Sequence, residues 1–254
     1  MSLSGRLCLK EQGYLPVSGV HLLSVTLSER AGRWFVSLQV EMEIADPQAE
    51  QKGSVGVDLG ILRLATLSDG EGVDNPHALR QAQTKIRRVQ RCVARRQKGS
   101  ANRKKAVQQL ARAHYRVANI RKEAVHQAAS RLAKTKSVVV LEDLNVSGML
   151  KNHHLAQAIA DVGLSEFRRQ LSYKGKWYGC EVQIADRYYP SSKRCSRCGR
   201  VKPDLTLSER MYRCASCGLE LDRDWNAALN LEQWLYPGSE LPRVPREVTP
   251  VESM

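Results

Sequence analysis

Ser54-Val55-Gly56-Val57-Asp58-Leu59-Gly60 is the stretch that decides the fold: a short apolar strand ending in a carboxylate. Ile61 to Leu67 continues as its neighbour, with a turn at Ser68-Asp69-Gly70. Far downstream, Ser137-Val138-Val139-Val140-Leu141 is a nearly continuous apolar run, as in a strand buried on both faces, and it ends at Glu142-Asp143. A helix is expected around Ser165 to Tyr178, a strand from Glu181 to Ala185, and a last helix from Asp222 to Trp234. That last helix carries Ala227, Ala228, Leu231 and Leu235 on one side. Strands and helices in this order predict an α/β fold.

Upstream of this core, residues 1 to 46 read as strands. Trp34, Val36, Leu38, Val40, Met42 and Ile44 alternate with polar residues, which predicts a half-buried antiparallel strand. The run from His21 to Leu27 precedes a turn signal at Glu29-Arg30-Ala31-Gly32, so a hairpin is expected. The tail from Pro237 to Met254 holds four of the nine prolines and reads as disordered.

The chain has 254 residues, enough for one large domain or a main domain with a smaller one, and 42% of them are hydrophobic. Its net charge of +14 favours an anionic partner. No apolar run approaches the roughly 20 residues that span a bilayer, and the N-terminus lacks the pattern of a secretory signal. The expectation is a cytoplasmic protein with no membrane partner, and nucleic acid as the polyanion.

The charge is concentrated. Residues 80 to 122 hold fifteen Lys or Arg and no Asp or Glu. Two helices broken at Lys98-Gly99-Ser100-Ala101-Asn102 predict an antiparallel hairpin with basic outer faces. Its apolar seam is read from Val107, Leu110, His114, Val117, Ile120, Ala124 and Ala128. A solvated face normally mixes both signs, so this one is assigned to polyanion binding. The candidate contacts are Lys85, Arg87, Arg88, Arg91, Arg95 and Arg96 on the first helix, and Arg103, Lys104 and Lys105 on the second.

Four of the seven cysteines form two matched knuckles, Cys195-Ser196-Arg197-Cys198-Gly199 and Cys214-Ala215-Ser216-Cys217-Gly218. The fifteen residues between the pairs suit a four-cysteine zinc site. Four thiolates complete a tetrahedron and leave no open position, so the zinc is expected to be structural. Arg194 and Arg197 beside the first knuckle are further candidate phosphate contacts. Cys8, Cys92 and Cys180 stand alone and read as small hydrophobes.

Asp58, Glu142 and Asp224 each lie at the end of an expected strand or the start of an expected helix. Clustered carboxylates can hold two Mg²⁺ ions and drive in-line attack of water on a phosphodiester. Periodicity leaves two choices open. Glu142 and Asp143 would point to opposite sides of a continuing strand, and Asp222 competes with Asp224 at the helix start.

Gly56-Val57-Asp58-Leu59-Gly60, Leu141-Glu142-Asp143-Leu144-Asn145 and Asp222-Arg223-Asp224-Trp225-Asn226-Ala227-Ala228-Leu229-Asn230 occur in that order, with the cysteine knuckles between the last two. Ser191-Ser192-Lys193 leads into the first knuckle. Together, over about residues 53 to 236, these resemble the C-terminal half of the TnpB (OrfB) proteins of insertion sequences, relatives of the type V CRISPR effectors. The resemblance implies an RNase H-like (RuvC) core whose catalytic, magnesium-binding acids are Asp58, Glu142 and Asp224. It also implies Mg²⁺-dependent DNA cleavage, with a guide RNA from the transposon end as partner.

The expected layout is a partial, wedge-like β-barrel remnant over 1–52 and a nuclease core over 53–189, with the basic hairpin at 79–134. A zinc ribbon over 190–221 and a final nuclease helix over 222–236 complete it, followed by the tail 237–254. The wedge's remaining strands and the recognition helices of full-length relatives are expected to be missing. One competing reading is a transposon-derived protein that binds nucleic acid without cutting it. Another is a nuclease that needs no guide.

Overall fold

The computed structural model describes residues 10, 13, 18–47, 52–206 and 208–236. Cys8, most of the segment before residue 18 and the tail 237–254 lie outside the described residues.

β1 (His21–Arg30) and β2 (Arg33–Glu41) form an antiparallel hairpin across Ala31-Gly32. Both turn residues have positive φ, 54° and 79°, which matches the twist of a two-residue hairpin loop. The expected half-buried apolar row is corrected here. Trp34 is 69% exposed and Ile44 74%, and Leu38 and Met42 are also exposed. The pair is a two-stranded sheet, and β structure of that size buries neither face by itself.

The elements that follow are β3 (Ser54–Leu59), β4 (Arg63–Leu67), β5 (Gly72–Asp74), α1 (Ala78–Arg95), α2 (Ala101–Thr135) and β6 (Val138–Leu141). After them come α3 (Val146–Met149), α4 (Ala156–Val162), α5 (Leu164–Tyr178), β7 (Glu181–Ile184), β8 (Met211–Arg213), β9 (Glu220–Asp222) and α6 (Arg223–Gln233). Five strands form one mixed sheet in the order β5-β4-β3-β6-β7. β3, β6 and β7 are parallel, while β4 and β5 are antiparallel additions.

Alternation along the strands sorts the two faces. Val55, Val57, Val139 and Leu141 are fully buried and pack with Val125, Ala129 and Leu132 of α2 and Phe167 and Leu171 of α5. On the opposite face Val140 meets Ala185 and Leu231 of α6. Here α6 lies directly on the backbone of Gly56. A Cβ at that position would stand 2.0 Å from the Ala228 carbonyl oxygen and 2.4 Å from the Glu232 nitrogen. Only glycine admits so close a crossing.

The basic segment folds as an antiparallel helix pair. Ser100 caps α2 by accepting from the Arg103 N–H, which sets the break before Ala101. The expected single seam is corrected: Val107, His114 and Ile120 are exposed. α2 runs unbroken for 35 residues, about 50 Å. Val117 packs on Ile86 of α1 together with Leu110 and Ala113, whereas the second half of α2 packs on the sheet. A helix with two successive partners turns a different stripe to each, so one apolar row cannot describe both. No helix among the described residues is long and apolar enough to cross a membrane.

Candidate active site and nucleic-acid interface

In parallel register Val57 pairs with Leu141. The next residues, Asp58 and Glu142, therefore leave the sheet side by side, on the face that carries α6. Gly56 lets α6 approach, and Asp224 stands one turn before Ala228, at the helix N-terminus. The acids are close enough to repel. Burial, then Glu142, then Asp224 push the Asp58 carboxyl well above its usual range, against a smaller opposing pull from Arg223. Such crowding of carboxylates is costly to a fold unless a cation relieves it.

The two choices left open by periodicity have different surroundings. Asp222 is the N-cap of α6: its Oδ1 accepts from the Asp224 and Trp225 N–H groups, both at 3.0 Å. Asp224 lies in the first turn with its Oδ1 beside the Arg223 guanidinium at 3.2 Å. Glu142 accepts from the Ser191 hydroxyl at 2.6 Å, and Ser191 is only 1% exposed. Asp143 turns to the α5 face, where Arg168 and Arg187 hold its carboxyl below the usual range.

The four cysteine sulfurs all lie within 4.8 Å of one another. Cys195 Sγ and Cys217 Sγ are 3.6 Å apart, as are Cys198 Sγ and Cys214 Sγ. That is far beyond a disulfide's roughly 2.05 Å and close to the ~3.8 Å edge of a zinc–thiolate tetrahedron with 2.3 Å bonds. Burial pushes the Cys195 thiol up to about 12, whereas Cys214, against the cost of burial, is brought down to about 6 by N–H groups of its own knuckle and the neighbouring thiols. The knuckles have the same build. Gly199 N–H donates to the Cys195 carbonyl and Gly218 N–H to the Cys214 carbonyl, each at 2.9 Å.

Two buried asparagines tie this unit to α6. Asn226 accepts from the Ser196 N–H at 3.0 Å and donates to the Arg194 carbonyl at 2.7 Å. Asn230 donates to the carbonyls of Ser191 at 2.8 Å and Arg194 at 2.6 Å. One segment thus orients Glu142 through Ser191 and fixes the helix that carries Asp224. Sequence reasoning missed Ser191, Asn226 and Asn230 as supports, because their partners lie 30 to 49 residues away.

The basic residues divide into groups. Lys85, Arg88 and Arg96 line a cleft of about 1210 Å³ between the helices and the β1–β2 turn. Arg33, Arg112, Arg116 and Tyr115 share it and were not anticipated. The signal was available for Arg112 and Arg116, which lie inside the acid-free stretch at helical spacing. Arg33 stacks on the Tyr115 ring at 5.9 Å, a contact only the fold makes. Arg87 and Arg91 lie together in a different hollow, and Arg103, Lys104 and Lys105 face the hairpin turn at Gly32. Arg96 donates to the Asn102 carbonyl, and Arg95 closes the last turn of α1. Arg197 is exposed, whereas Arg194 has its Nε buried against the first knuckle.

Residues 37–153 match the family model described as "Probable transposase" of the OrfB, IS605 type. Residues 165–231 match the "Cas12f1-like, TNB domain" model. The chain is 45% identical over 214 residues to a "Putative RNA-guided DNA endonuclease" of Streptomyces pristinaespiralis, covering 84% of this chain and 53% of that protein. It is 35% identical to the "Putative RNA-guided DNA endonuclease InsQ" of Escherichia coli K12, over 85% of this chain and 57% of that one. The chain spans about half the length of the curated relatives it matches. Among solved structures, one titled as a CRISPR-Cas12f ternary complex aligns with a TM-score of 0.55 at 18% identity, over 82% of this chain and 44% of that one. A Cas12f1–sgRNA–target DNA complex aligns at 0.52 and 16% identity, over 82% of this chain and 55% of that one. These two likenesses establish a shared α/β fold.

Proposed function

The chain belongs to the TnpB (OrfB) family of insertion-sequence proteins, and from that premise we propose that it is a metal-dependent DNA endonuclease with an RNase H-like, RuvC-type centre. The convergence of Asp58, Glu142 and Asp224 carries the reading. Residues 84 and 82 positions apart come within electrostatic range of one another at the C-terminal ends of the central strands, and nothing about stability favours placing three acids there.

The three carboxylates fit hard divalent cations by chemistry, being oxygen donors of which Asp58, buried and crowded, holds a proton that a cation would displace. Two Mg²⁺ ions bound there would supply an activated water and stabilise the leaving oxygen in an in-line displacement. The residues' own share is positioning. Ser191 holds one Glu142 oxygen and leaves the other for a ligand, while Asp222 takes the capping duty and leaves Asp224 available. The cysteine cluster fits a structural zinc ion by donor type and spacing, making 190–221 a ribbon set inside the nuclease core of 53–189 and 222–236.

Arg33, Lys85, Arg88, Arg112 and Arg116 make the α1–α2 cleft an electropositive seat for a nucleic-acid backbone. In this reading the seat holds a guide RNA paired to DNA, and base pairing rather than the protein supplies sequence specificity. The β1–β2 hairpin corresponds to the wedge-like β segment.

The test is cleavage of matching duplex DNA by purified protein with Mg²⁺ and RNA transcribed from its transposon end. Cutting is expected with the wild type and absent with Asp58→Ala. Retained cutting by that variant removes the assignment, and equal cutting without RNA removes the guide.

A further inference from the structure

We infer that Arg168 and Arg187, held together by Asp143, form a clamp for a backbone phosphate of the strand being cut. The inference rests on the nuclease reading and adds a substrate contact to it.

β6 ends by sending two consecutive carboxylates to opposite faces. Glu142 joins the acidic centre; Asp143 does not. Its Oδ1 accepts from Arg168 Nη1 of α5 at 2.9 Å. Its Oδ2 accepts from Arg187 Nε, on the loop after β7, at 2.9 Å and lies 2.7 Å from Nη2 of the same guanidinium. One negative charge thus gathers two positive ones, and the trio keeps a net charge of +1.

As a staple this is over-provisioned. The two arginine side chains are 44% and 55% exposed, and ion pairs so wet contribute little to stability. Their placement makes better sense as preorganisation. A guanidinium carries five N–H donors in a fixed fork. Asp143 takes one from each arginine, with Arg187 Nη2 also in ion-pair contact, and no further side-chain hydrogen bond from either is made among the described residues. The remaining edges are free for phosphate oxygens, which the planar fork fits in bidentate fashion.

The position supplies the rest. Both arginines line a cavity of about 340 Å³ whose wall also includes Glu142, Leu59, Asn145 and Ser165. A phosphate bound to the free guanidinium edges therefore lies in a cavity bordered by the strand end that carries Glu142. That neighbourhood suits a phosphate close to the scissile one, so the clamp would set the strand's register before chemistry. A single-stranded backbone is the occupant favoured, since the clamp offers charge and no base-reading groups.

The experiment uses the protein–RNA complex and DNA carrying one neutral methylphosphonate, moved through the three linkages on each side of the cut. At one position the neutral linkage should slow the wild type about tenfold, the loss of roughly one charge-assisted contact. Arg168→Ala and Arg187→Ala should each cut ordinary DNA about tenfold more slowly and lose little more at that same position. Losses that add at every position, or that follow a drop in melting temperature, overturn the clamp and leave a structural staple. The same scan, read as the Kd of a fluorescent single-stranded oligonucleotide for the Asp58→Ala complex, needs no cleavage. Position-specific insensitivity of the Arg168→Ala, Asp58→Ala double variant supports the clamp even if the nuclease reading fails. Uniform sensitivity there overturns the clamp even if the nuclease reading holds.

Discussion

The acidic edge of the sheet and the basic helix pair differ in how they use charge. At the edge, three carboxylates are fixed by strand register, a glycine contact and two asparagine latches. On α1 and α2 the positive groups fan out over three separate hollows, and Arg96, just past α1, donates to the Asn102 carbonyl in the first turn of α2. A few misplaced tenths of an ångström matter at the first and not at the second. Single changes should therefore be severe at the edge and graded on the helices.

The largest effect is expected from Asp58→Ala, which should lower cleavage at least about a thousandfold, as loss of a metal-holding acid does. Its conservative partner sharpens the point. The folded state holds the Asp58 proton more tightly than the unfolded chain, whose carboxyl has a value near 3.8. Metal-free stability should then fall as pH rises above about 3.8 towards the raised value, because the folded state binds more protons in that window. Asp58→Asn should remove this fall and melt higher than wild type near neutrality while failing to cut. A lower, equally pH-dependent melting temperature in metal-free buffer would break the claim that the acids repel.

Next is Gly56→Ala. The added methyl has backbone on both near sides, so α6 must move away, and a loss of about 1–3 kcal/mol is expected in denaturant unfolding. Cleavage should fall further than that loss explains, because Asp224 retreats with the helix. Cys214→Ser, or a strong zinc chelator, should release the ribbon and through Asn226 and Asn230 loosen α6, costing cleavage along with local hydrogen-exchange protection. Full activity without zinc would show that the latches work alone. The smallest effect is expected from Arg88→Ala: a few-fold weaker RNA binding at most, with the salt slope reduced by about one. A catastrophic loss there would erase the contrast between the two regions.

How much of this could be read from the sequence follows the same division. Strand ends with acids, the α5 and α6 helices and the paired knuckles are local patterns, and each is found close to where its pattern lies. The short α3 and α4 were not anticipated, having too few residues for a period to show. The stripe of α2 was misread because its two halves answer to different partners. The apolar row of β2 followed the right alternation, but alternation cannot say whether anything covers it. Ser191, Asn226 and Asn230 look like loop and helix polar residues until the fold brings backbone carbonyls and Glu142 to them. Asp143 is the clearest case. Adjacent to Glu142 and equally acidic, it differs only in the face its strand position gives it.

The crossing of α6 over Gly56 also sets an order of events. Asp58 is made before Glu142, yet neither stands beside Asp224 until residues 223–233 have been synthesised and have docked on the sheet. On a growing polypeptide the acidic trio is therefore incomplete until the helix at 223–233 has been made. Whatever that edge of the sheet does, it becomes able to do it only as the last described helix closes.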